Sequence, residues 1–193
     1  MYRGADKKNN LALYIYTLLA PVSTLIIGDS LTDLSHGFYL RDYSSPDARI
    51  SHLGIHSSDF PEWHFRLNEA FSAEPFPDKF VVAIGTNDAY RYSTQDFLKN
   101  VNAFNDRLRL LTTARIYYCL MPLTNDVGLG AKIRDHNSIL RQNPPQGIAG
   151  IIDLESAFLN AGPLPPLYIS DPVHPTQDGY RLIGLTISNS ITP

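Results

Sequence analysis

Three short polar stretches hold the residues best suited to chemistry. Ser30 lies in Gly28-Asp29-Ser30-Leu31-Thr32-Asp33, and Asn87 in Gly85-Thr86-Asn87-Asp88. Asp171 and His174 share Asp171-Pro172-Val173-His174-Pro175. Together they supply a hydroxyl to attack, an imidazole to take its proton, a carboxylate to orient the imidazole and an amide to donate to an oxyanion. In a proline-stiffened loop, Asp171 can hold one ring nitrogen of His174 and leave the other free as a base. Each residue also has an ordinary role open to it. Ser30 can cap a helix that follows the glycine turn, and Asn87 can be a turn residue. The two roles of Ser30 are compatible, because a helix N-terminus offers free N–H groups and positive dipole. Asp29 and Asp88 can tune charge at the site or cap local turns.

These residues need a frame, and the apolar pattern supplies one. Short apolar runs at 24–28, 49–53, 80–84, 116–121 and 148–152 predict buried strands. Helical spacing separates them, starting at Pro61, at Ser93, near residue 130 and at Thr176. Strand and helix alternation implies a parallel sheet covered on both faces. Ligands bind such sheets at the carboxyl ends of the strands, which is where Ser30 and Asn87 fall. Prolines at 163, 165, 166 and 172 make residues 161–172 a loop.

Composition narrows the field by exclusion. At 193 residues with no repeat or linker, the chain reads as one domain over 24–193 behind an N-terminal segment, residues 1–23. The single cysteine, Cys119, excludes a disulfide framework, and its place in an apolar run removes it as a nucleophile. A net charge of −3 without a basic cluster argues against nucleic acid as a partner. Residues 11–20 form an apolar block behind Arg3, Lys7 and Lys8. That layout fits a secretory signal or membrane anchor, and equally a segment packed on the domain, so the compartment stays open. Membrane contact is expected only through this segment.

The ordered stretches resemble the SGNH, or GDSL, hydrolase family. Residues 27–32 match its first block, 85–88 its third and 171–175 its fifth. Asn137, Asp153 and Gly179-Tyr180 agree with it, so the likeness runs over about residues 24–190. It implies a three-layer αβα sandwich on a five-stranded parallel sheet of flavodoxin type. By the same likeness Ser30 is the nucleophile, His174 the general base and Asp171 its partner. The oxyanion hole is formed by the Ser30 N–H, a second-block N–H and the Asn87 amide. This chain departs from the family at the second block, roughly Asn-x-Gly-Ile-Ser-Gly-Asp. Aligned with His52-Leu53-Gly54-Ile55-His56-Ser57-Ser58, it puts Ser57 in place of the donor glycine. A rival register makes Gly54 the donor.

The expected activity is hydrolysis of carboxylic esters of a lipid, carbohydrate or small molecule, with no metal or organic cofactor. Acyl transfer to a sugar or other hydroxyl by the same residues is the alternative, and a non-catalytic binding module on this fold is a second. His52, His56 and His64 invite a metal, but no acidic or cysteine motif completes a signature, and solvated or capping histidines are expected. Tyr39, Tyr43, Trp63, Tyr90, Tyr92 and Tyr168 are candidates to line an acyl groove or sugar platform.

Overall fold

The computed structural model describes residues 21–163, 167–168 and 171–192. The apolar block at 11–20 and its basic flank lie outside the described residues, as do residues 164–166 of the proline-rich loop. No described helix is long and apolar enough to cross a membrane.

Five parallel strands form one sheet in the order β2-β1-β3-β4-β5. They are β1 (Ser23–Gly28), β2 (Arg49–Gly54), β3 (Lys79–Ala83), β4 (Arg115–Cys119) and β5 (Gly150–Ile152). The helices are α1 (Ser30–Leu34), α2 (Phe60–Ala73), α3 (Thr86–Arg91), α4 (Thr94–Leu111), α5 (Val127–Gln142), α6 (Leu154–Asn160) and α7 (Gln177–Ile191). Successive side chains of a strand face opposite sides, and β1 divides accordingly. Leu25 and Ile27 join Trp63, Phe97, Phe104 and Ile133 under α2, α4 and α5. Ile26 joins Leu31, Phe158, Ile183 and Ile187 under α1, α6 and α7. The αβα layering expected from the sequence is what forms.

Two expectations need correction. β2 and β5 are edge strands, not buried ones: β2 has no fully buried residue and β5 only Ile152, because among the described residues nothing pairs beyond either in the sheet. β1 starts at Ser23, one residue inside the segment assigned to the N-terminus, and Asp78 fixes that start by accepting from both the N–H and hydroxyl of Ser23.

The chain leaves β1 toward β2 and then crosses back to β3 on the other side, so the winding reverses between β1 and β3. A crevice opens at such a reversal, at the carboxyl ends of the two strands. Ser30 follows one of them and Asn87 the other.

Candidate active site

Ser30 is the first residue of α1, but it does not cap the helix. Asp29 does, accepting from Leu31 N at 2.9 Å. The Ser30 hydroxyl is thereby left free, and it lies 2.9 Å from His174 Nε2. On the other side of the ring, His174 Nδ1 is 2.6 Å from Asp171 Oδ2. The second oxygen of Asp171 accepts from Val173 N at 2.7 Å and His174 N at 3.1 Å. Burial works to raise Asp171, but these three hydrogen bonds outweigh it and hold the carboxyl below its ordinary value. An ionised carboxylate can only accept, so Nδ1 carries the ring proton and Nε2 offers a lone pair to the Ser30 hydroxyl. The supporting loop is held in turn. Asn125 N donates to the Pro172 carbonyl at 2.8 Å, and Tyr168 OH donates to the Leu123 carbonyl.

Asn87 sits in the first turn of α3, not in an isolated turn. Gly85 precedes the helix with φ 140°, and a Cβ there would also meet Met121 Sδ at 2.9 Å, so glycine is required. Asn87 Nδ2 donates to the Ser58 carbonyl at 3.0 Å. Two carbonyl oxygens do not face each other, so this contact fixes which end of the amide is NH2 and leaves its second hydrogen for another acceptor.

Ser57 adopts φ 59°, the left-handed region that favours glycine. Replacing Ser57 with glycine is expected to raise stability by roughly 0.5–1 kcal/mol, as relief of strain exceeds the added chain entropy. Denaturant unfolding of the two proteins checks this. The next residue secures the loop. Ser58 Oγ donates to the Ile55 carbonyl at 2.8 Å and accepts from Trp63 Nε1 at 2.9 Å. Gly54 serves packing instead. A Cβ there would lie 2.3 Å from Asp33 N, so glycine lets β2 approach α1.

Two buried carboxyls flank these residues. Burial pushes Asp29 up to about 6, against the Leu31 N–H and the neighbouring histidines. Asp88 rises to about 8, through burial first and then the charges of Asp59 and Asp29, while the Phe60 N–H pulls it back. Both values exceed those of an unfolded chain, so the folded protein holds protons that the unfolded chain releases. Stability is therefore fully present below the ordinary carboxyl range and falls as pH rises toward about 8. Asp88→Asn is expected to flatten that fall and to add on the order of a few kcal/mol at mildly alkaline pH. Unfolding free energies across the pH range test the sign.

The other candidates scatter. His56 Nε2 pairs with Asp33 at 2.8 Å, His52 meets His36 edge-on, and His64 packs on Phe65. Among the described residues no three His, Cys, Asp or Glu side chains could hold a metal ion. Trp63 and Tyr168 are buried, whereas Tyr90 is exposed.

The model of the GDSL-like lipase/acylhydrolase family matches residues 26–182. The chain belongs to this family. No curated protein matches it by sequence. Solved structures share the fold of this GDSL-family chain at low identity. A lipolytic G-D-S-L family protein from Veillonella parvula is 16% identical, with TM-score 0.74 over 88% of this chain and 98% of its own. The α/β hydrolase LAE5 from the Lake Arreo metagenome is 17% identical, with TM-score 0.72 over 90% and 98%. The catalytic domain of peptidoglycan O-acetyltransferase A from Streptococcus pneumoniae is 16% identical, with TM-score 0.64 over 89% and 93%.

Sequence reasoning did not find the residues that hold this GDSL site together. Trp63 reads as a cleft aromatic and Ser58 only as a position in the second-block alignment, yet they clamp the Ser57 loop to β1, where Trp63 Nε1 also donates to the Gly28 carbonyl at 3.2 Å. Asn137 was visible as a family feature. Its buried amide pairs with both the N–H and carbonyl of Met121 at 2.9 Å, extending the β4 ladder by a side chain.

Proposed function

We propose that the protein hydrolyses carboxylic esters through an acyl-Ser30 intermediate. The observation that carries this is the continuous chain from Ser30 Oγ through His174 to Asp171, at 2.9 and 2.6 Å. Ser30 Oγ attacks the ester carbonyl as His174 Nε2 takes its proton, and Asp171 stabilises the imidazolium. The oxyanion is received by the N–H groups of Ser30 and Ser57 and the free hydrogen of Asn87 Nδ2. His174 then passes its proton to the leaving alkoxide. Water, deprotonated by the same nitrogen, cleaves the acyl-enzyme and restores Ser30.

Ser57 rather than Gly54 is the second-block donor in this reading. Ile55 N donates to the Gly28 carbonyl at 3.0 Å, so the N–H groups of alternate β2 residues face β1. Gly54 is out of phase with them and points its N–H to the free edge of the sheet, away from Ser30.

Release of the phenol from a short-chain aryl ester tests the proposal; no turnover above the buffer rate at neutral or mildly alkaline pH would overturn it. The likeness to an O-acetyltransferase domain supports acyl transfer as the second reading. A hydroxyl acceptor that diverts the acyl group from water at equal phenol release would favour transfer over hydrolysis.

A further inference from the structure

The donors assigned to the oxyanion reach the crevice on different elements. Asn87 comes from the start of α3, and Ser57 from the loop between β2 and α2. A hole built in two halves stabilises a transition state only if their spacing is fixed beforehand. Among the described residues, hydrogen bonds join the halves at three places. Asn87 Nδ2 holds the Ser58 carbonyl, Asp59 takes the Tyr92 hydroxyl at 3.0 Å together with Arg91, and Phe60 N donates to both oxygens of Asp88 at 3.3 Å. The last of these is the only one of the three whose two residues are both buried, with Asp88 0% and Phe60 1% exposed.

We propose that Asp88 is a positioning residue for the reaction, fixing the spacing of the oxyanion donors by tying the first turn of α2 to the first turn of α3. The inference rests on the ester-hydrolysis reading above.

Helix stability alone does not call for Asp88. α2 already has its own cap in Asp59, which accepts from Glu62 N at 2.9 Å, and it has proline in its first turn. A buried carboxyl is a costly way to satisfy one more N–H, because desolvation penalises its charged form. Burial raises Asp88 far enough to leave the group mostly neutral at neutral pH, which lessens that penalty without removing it. A second local cap would satisfy Phe60 N with less desolvation. It would not connect two elements, whereas a carboxyl arriving from α3 does. Asp88 is also the residue next to Asn87, so a displacement at one is passed to the other through a single peptide unit. Rigid support of this kind matters because an error of about 1 Å in a donor can lower turnover by about 100-fold.

Kinetics on a short-chain aryl ester test this with Asp88→Ala, Asp88→Asn and Asn87→Ala in the full chain. Asp88→Ala is expected to lower kcat by about 100-fold with KM held within about twofold. Asp88→Asn keeps an acceptor for Phe60 N and is expected to return kcat to within about threefold of the parent. In an Asn87→Ala background the donor to be placed is gone, so adding Asp88→Ala should lower kcat by less than about threefold. An equal loss in both backgrounds would assign Asp88 a general structural role and overturn the inference. An unchanged kcat in Asp88→Ala, or an Asn variant as slow as the Ala variant, would overturn it too. Should Asp88→Ala not fold, Asp88→Ser is read by the same criteria. A parent protein without esterase turnover would sink the hydrolase reading and this inference with it, whereas an active parent with indifferent Asp88 variants sinks only the inference.

Discussion

Ser30→Ala is expected to lower turnover of a short-chain aryl ester by about 10⁴-fold or more, with little change in KM. The hydroxyl lies 2.9 Å from His174 Nε2, and among the described residues no other hydroxyl or thiol is placed on that nitrogen. Cys119 is buried and its thiol is pushed well up by that burial, so it stays protonated. Residual rate would come from the oxyanion donors, which stay in place. The folded state should hardly notice, since the hydroxyl bonds only to a half-buried ring, and the change in stability should stay within about 1 kcal/mol. Initial rates and an unfolding curve on the same preparation separate the two effects.

Asn87→Ala is expected to lower kcat by about 10²- to 10³-fold. Two losses combine in that figure: a donor to the oxyanion disappears, and so does the bond that holds the Ser58 carbonyl. Asn87→Asp should be worse than alanine despite its shape. An ionised carboxylate would face both the Ser58 carbonyl and the negative charge that develops in the transition state. Steady-state kinetics of both variants check the order. An aspartate variant faster than the alanine variant would remove Asn87 from the oxyanion hole.

The features of fold and site legible in the sequence are those written locally. β1 and β3 announce themselves as apolar runs, and Asp171 and His174 reach each other across three residues. Helices α4 and α7 carry full apolar stripes and begin at the caps Ser93 and Thr176, as expected. α3 and α6 were missed because six and seven residues are too few for a helical period to show, and α3 includes Asn87 and Asp88, weak helix formers. The edge position of β2 is a property of the whole sheet, which its own residues do not encode. The stitching of the site was illegible for the same reason. Ser58 meets Asn87 across 29 residues, Phe60 meets Asp88 across 28, and Trp63 reaches Gly28 across 35. The left-handed backbone at Ser57 was illegible too, since a serine gives no local sign of it.

The most direct test of the central claim is covalent. An aryl organophosphonate should add once to the folded protein, and peptide mapping should place the adduct on Ser30 Oγ, with labelling slowed severely in His174→Ala because the base that activates the hydroxyl is gone. An adduct on any other residue, or an unlabelled Ser30 in a protein that turns over the ester, would contradict the account.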